Sequence, residues 1–100
     1  MIHILWEFRI QEGRAAAFEE LYGPEGGWVR LFRKARGYER TVLVRDGEDE
    51  RRYVTIDRWR DAASYEAFRR EYEAEHAALD RDGLALTEVE RRLGQFEEIA

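Results

Sequence analysis

The chain has 100 residues, 44% of them hydrophobic and 13% aromatic, so one domain with a packed core is expected over residues 1–100. A net charge of -5 argues against phosphate-backbone binding, and the absence of cysteine removes disulfides, thiol nucleophiles and thiolate metal sites. No apolar run approaches the ~18 residues of a membrane span.

Met1 leads directly into a strand pattern without a leader-like stretch, and the cytoplasm is the expected compartment. Ile2 to Ile10 alternates, with Ile2, Ile4, Trp6, Phe8 and Ile10 on one face and His3, Leu5, Glu7 and Arg9 on the other. Gln11-Glu12-Gly13 turns the chain. Arg14 to Tyr22 then reads as a helix burying Ala15, Phe18, Leu21 and Tyr22. Gly23-Pro24-Glu25-Gly26-Gly27 breaks it, because three glycines and a proline cannot continue a helix. Trp28, Leu31, Phe32 and Ala35 form a second helical stripe that Gly37 ends.

Tyr38 to Arg45 and Arg52 to Trp59 are strands joined by the charged loop Asp46 to Glu50. Asp61 caps a helix whose apolar positions are Tyr65, Phe68, Tyr72 and Leu79, and Asp82-Gly83 is expected to stop it. Thr87-Glu88-Val89-Glu90 matches a capping box and predicts a short helix at Val89 to Arg92, followed by a last strand from Leu93 to Ile99.

The order corresponds to a ferredoxin-like βαββαβ domain of the α+β class, an antiparallel sheet with helices on one face. In the hairpin, Leu43, Val54 and Ile56 cannot share a side with all of Val42, Val44, Tyr53 and Trp59, so both sheet faces carry apolar residues. One set of helices covers only one face. A homodimer through stacked sheet faces is the expected remedy.

Several of these residues carry a resemblance. The strand Ile4-Leu5-Trp6-Glu7-Phe8, the Gly13 turn, Phe18-Glu19 with Tyr22, and Tyr53 to Trp59 followed by Tyr65 and Phe68 resemble the antibiotic-biosynthesis-monooxygenase-type family of dimeric α+β barrels. The likeness runs from Ile2 to Tyr72 and is weaker beyond Glu73. It implies an oxygenase without metal, flavin or haem, acting on an aromatic polyketide, quinol or related compound. Such chemistry needs a base, aromatic walls and exclusion of water. The family also contains members with no known activity, so a non-catalytic ligand-binding or structural dimer is the competing expectation.

His76 is the candidate base. It continues the Tyr65, Phe68, Tyr72, Leu79 stripe, and imidazole titrates nearest neutrality. The plainer account is a hydrogen-bonded histidine near the C-terminal end of its helix. Asp57, inside a strand beside Tyr53, Thr55 and Trp59, is a second candidate that could orient a substrate hydroxyl; the plainer account is an ion pair with an arginine other than Arg58. Trp59, Tyr53, Tyr72, Phe68, Trp6 and Trp28 are candidate walls of a ligand pocket, or simply core.

Haem-degrading enzymes share the fold, and Tyr72-Glu-Ala-Glu-His76 is similar to their ligand-bearing segment. The first strand has Glu7 and Phe8 where that resemblance wants asparagine, and Phe68 stands near its tryptophan position. Haem is therefore the alternative cofactor to an expectation of none. No Gly-rich phosphate loop or HExxH pattern is present, and Ser64, the sole serine, has no adjacent histidine.

Overall fold

A computed structural model describes residues 1–100. Strand β1 (Ile2–Ile10) leads to helices α1 (Ala15–Tyr22) and α2 (Gly27–Phe32), the hairpin β2 (Tyr38–Arg45) and β3 (Arg52–Trp59), helices α3 (Ala62–Glu71) and α4 (Glu73–Leu84), and β4 (Thr87–Glu97). The sheet order is β2-β3-β1-β4, antiparallel throughout. This is the expected ferredoxin-like α+β architecture. No helix is long and apolar enough to cross a membrane.

Period-2 alternation divides β3 cleanly. Tyr53, Thr55, Asp57 and Trp59 are buried toward the helices, while Arg52, Val54, Ile56 and Arg58 take the outer face at intermediate exposure. The core joins Ile2, Ile4, Phe8 and Ile10 of β1 to Phe18, Tyr22, Trp28, Phe32 and Phe68 of the helices. Asp61 caps α3 by accepting a 2.8 Å hydrogen bond from the Ser64 backbone N–H. At Gly37, φ is +85° and a Cβ would stand 2.5 Å from the Ser64 hydroxyl oxygen, so the α2–β2 turn packs against the first turn of α3.

Three expectations are corrected. The helix expected from Asp61 onward is two helices, because Tyr72 leaves helical geometry at φ -112° and ψ 31°. Asp82-Gly83 does not stop α4. Gly83 is buried within its last turn, where a Cβ would lie 2.1 Å from the Tyr22 hydroxyl, so the glycine serves close packing rather than termination. Thr87 to Glu90 is no helix start. It pairs with β1, with Thr87 opposite Ile10 and Glu90 opposite Phe8, and the Thr87 hydroxyl donates to the Gly83 carbonyl at 3.2 Å. An unpaired edge on β1 outweighs the local capping pattern, which is a weak preference by comparison. The last strand consequently begins at Thr87 and ends at Glu97, with register shifts between Leu5 and Trp6 and between Arg9 and Ile10.

The outer sheet face has an apolar middle. Leu5 lies opposite Ile56, which pairs across with Val42, while Val44 lies opposite Val54. Ion pairs flank this strip: Glu7 with Arg52 and Arg91 toward one end, and Glu98 with Arg58 and His3 toward the other. Val42 and Val44 are exposed.

Candidate functional site

A cavity of about 130 Å³ opens between the helices and the inner face of the sheet. β3 supplies Thr55 and Asp57 from alternate positions, and β2 adds Thr41 directly opposite Asp57. Trp6 and Phe8 come from β1, Trp28 and Phe32 from α2, and His76 and Asp80 from α4. Tyr22, Tyr65, Arg69 and Glu90 complete the lining.

Asp57 is nearly fully enclosed and has no arginine partner. Its Oδ1 accepts a 2.7 Å hydrogen bond from the Thr41 hydroxyl, which in turn sits 2.8 Å from the Tyr38 hydroxyl. Burial pushes its carboxyl up to about 6, and the Thr41 bond opposes that rise only in part. Near neutral pH Asp57 is therefore an ionised group whose protonated form is within easy reach.

His76 is mostly shielded, with 14% of its side chain exposed, and its ring stands edge-on to Trp28 at a centroid distance of 4.8 Å. Nδ1 lies 3.2 Å from Asp80 Oδ2, one helical turn on. In the neutral ring this contact places the proton on Nδ1 and leaves Nε2 as the free acceptor. Burial lowers the His76 pKa below its usual value; the positive charge of Arg69 adds to this, and Asp80 opposes it. The imidazole is accordingly neutral at physiological pH and able to accept a proton.

Two further features mark the cavity as polar. Glu90 is pushed up by burial, then by the charge of Asp80. The Tyr22 hydroxyl and the Trp28 indole N–H are buried beside one another, and burial strongly raises the Tyr22 phenol while the Trp28 N–H opposes that rise.

Of the residues the sequence singles out, Asp57, His76, Trp6 and Trp28 meet at the cavity. Trp59, Tyr53, Phe68 and Tyr72 do not border it. Trp59, at the far end of β3 opposite Ile2, is fully enclosed by Phe32, Tyr38, Tyr65 and Phe68. Tyr53, at the other end, donates its hydroxyl to Glu19. Phe68 is core, 6.2 Å from the His76 ring by centroid, and Tyr72 stacks outward on it, with its hydroxyl toward the Lys34 carbonyl. Strand length explains the division, since positions two and four residues apart on one face lie roughly 7 and 13 Å apart.

Thr41, Thr55, Arg69, Asp80 and Glu90 escape the sequence reading. Asp80 was recoverable from its i+4 spacing to His76. Thr55 and Thr41 follow only from knowing the register, and Glu90 was hidden by the capping-box reading of its segment.

The fold and its site define a ferredoxin-like α+β domain with a small cavity beneath its helices. The sequence profile of the antibiotic biosynthesis monooxygenase family matches residues 1–78, and the chain belongs to that family. Among solved structures it is similar to SnoaB, a cofactor-independent oxygenase from Streptomyces nogalater, with a TM-score of 0.74 and 21% identity, covering 99% of this chain and 93% of that one. A Pseudomonas aeruginosa protein, PA3566, aligns with a TM-score of 0.70 at 20% identity, over 99% of this chain and 94% of its own. A NIPSNAP domain protein from Burkholderia xenovorans aligns with a TM-score of 0.69 at 18% identity, over 100% and 96%. No curated protein matches the chain by sequence. At these identities the likeness is one of fold.

Proposed function

We propose that this protein is a cofactor-independent monooxygenase for a small aromatic or quinol-type compound, with His76 as the general base. The cavity beside His76 carries the reading: it joins a neutral imidazole, a buried carboxylate and aromatic walls. Nε2 takes the proton of a substrate hydroxyl, and Asp57, held by Thr41, orients a second polar group. The electron-rich anion then reduces dioxygen directly. For a quinol the balance closes without a further reductant: one oxygen atom enters the ring, the other leaves as water, and the quinol supplies all four electrons as it becomes a hydroxyquinone.

The description of SnoaB as cofactor-independent supports this account. Haem fits poorly, because the cavity is smaller than the ~300–1,000 Å³ typical of drug-sized ligands.

The same reading assigns the outer face to a second copy of the chain. Its apolar middle and ionic ends have the form of an interface core with a polar rim, and a two-fold axis through the middle would set each strip on its equivalent.

Oxygen uptake with a panel of quinols tests the enzyme. His76→Gln is expected to lower the rate at least 100-fold, the lower bound for loss of a general base. The acid limb of the wild-type profile is expected near pH 6, where Asp57 loses its proton. No uptake with any quinol, or an unimpaired variant, would remove the oxygenase reading.

A further inference from the structure

We infer that Tyr38 and Thr41 of β2 are positioning residues for Asp57. A hydrogen-bond chain running from Tyr38 through Thr41 fixes which carboxyl oxygen meets a ligand and keeps the group an acceptor. This rests on the oxygenase reading for what Asp57 does to a ligand, but not for the hold on Asp57.

The chain exists because β2 departs from strict pairing. Residues three apart on a regular strand point to opposite faces, so Tyr38 and Thr41 would not ordinarily meet. Here Tyr38 pairs with Trp59 and Arg40 with Arg58, so β2 advances two residues where β3 advances one. Glu39 is the extra residue, and it is exposed. Such a bulge re-aims the side chains beside it. It brings Tyr38 to the face of Thr41, and their hydroxyls stand 2.8 Å apart. The Tyr38 ring is seated between Phe32 and Trp59, each at a centroid distance of 5.3 Å. A phenylalanine would fill that seat equally well, so packing does not account for the hydroxyl.

The inventory of protons sets the direction of the chain. An ionised carboxylate only accepts, so the single Thr41 hydroxyl proton goes to Asp57 Oδ1, at 2.7 Å. The Thr41 oxygen then accepts from the Tyr38 hydroxyl. Each bond polarises the next, and the outer donor strengthens the inner one. Thr41 is β-branched, which restricts its χ1 and keeps the hydroxyl in line. With Oδ1 engaged, Oδ2 has no partner in the chain and is the oxygen left for a group entering the cavity.

No other side chain competes for Asp57. His76 and Asp80 of α4, Arg69 and Tyr65 of α3, Tyr22 of α1 and Glu90 of β4 also line the cavity, yet none hydrogen-bonds to it. Arg33, just beyond α2, acts on the Tyr38 phenol instead. Thr41 alone opposes the effect of burial on Asp57, so loosening the chain disfavours the carboxylate.

Carboxyl-carbon NMR of aspartate-labelled protein reads the Asp57 midpoint directly, about 6 in the wild type, with the signal assigned by its loss in Asp57→Asn. Thr41→Val keeps the shape and removes the hydroxyl. It is expected to raise the midpoint by about one pH unit, the worth of one hydrogen bond to a charged group. Tyr38→Phe is expected to raise it by about a quarter as much, the share that a neighbouring bond adds. Thr41→Ser keeps the hydroxyl and is expected to return the wild-type value. Circular dichroism confirms an intact fold; should Thr41→Val not fold, Thr41→Ala replaces it with the same expectation. A midpoint unmoved in Thr41→Val or in Tyr38→Phe overturns the inference, as does a Thr41→Ser midpoint raised as far as that of Thr41→Val. Oxygen uptake with hydroquinone then distinguishes the two claims. An acid limb that climbs with the midpoint in Thr41→Val sustains both. A raised midpoint in a protein without uptake sustains the chain and defeats the oxygenase. Uptake with an unmoved midpoint does the reverse.

Discussion

The two faces of the sheet invert the usual distribution of polarity. On the helix side, a carboxylate, two threonines and a histidine are enclosed among aromatic rings. On the outer side, Val42 and Val44 are exposed while charged pairs stand at both ends of the strip. Burying an aspartate costs stability, and exposing valine forgoes it. Both departures come from the same strands, one residue out of phase. The inner face thus gathers polar groups among its aromatic rings, whereas the outer face leaves an apolar strip in solvent.

The comparison can be broken most severely at Trp59. Its indole fills the inner core completely, so Trp59→Ala is expected to cost roughly 3–5 kcal/mol in urea unfolding. A loss below about 1 kcal/mol would mean that the inner face is not the principal core.

Asp57 gives the next largest effect, with a defined sign. The unfolded carboxyl titrates near 3.9 and the folded one at about 6. Between those values the native state keeps a proton that the unfolded chain has released. The contribution to stability is therefore greatest below about pH 4 and is lost as pH rises through about 6, a difference of about 3 kcal/mol. Asp57→Asn keeps a group that can accept from Thr41 but has no charge to bury. It is expected to be more stable than wild type by up to about 3 kcal/mol near pH 8, and level with it near pH 4. A pH-independent difference between the two proteins would show that desolvation does not govern this carboxyl. Such a stabilised but less active variant would also mark Asp57 as a residue kept at a stability cost.

The strands were legible because alternation in Ile2 to Ile10 and Arg52 to Trp59 is a direct print of the pleat. The cavity was legible only through His76 and Asp57, each a polar residue at an apolar position. The walls were not. Tyr53, Trp59, Phe68 and Tyr72 carry the same aromatic signal as Trp6 and Trp28, and composition cannot separate a ring that fills space from one that borders it. That difference depends on position along the strand and on register, as the pairing of Thr41 with Asp57 shows. The misread segment at Thr87 has a related cause. Its capping pattern is local, and the β1 edge that claims it lies about eighty residues earlier in the chain.

The outer face offers the mildest test and the most selective one. Ile56 sits at the centre of the strip, between Leu5 and Val42, three residues from Trp59 on the same strand but facing away from the core. Ile56→Arg places a guanidinium there without touching the helix side, and in a two-fold pair each introduced charge would face its equivalent. Sedimentation velocity at micromolar concentration is expected to show a wild-type dimer and a variant weakened at least tenfold, about 1.4 kcal/mol. Binding of a quinol beside His76 should persist in the dissociated protein, because the cavity lies on the helix side of the sheet and the strip on the opposite face. A wild type that sediments as a monomer would sink the pairing of the outer faces. A variant that loses its quinol site on dissociation would show that the two faces are coupled, and that the second subunit stiffens the strands on which Thr41 and Asp57 are held.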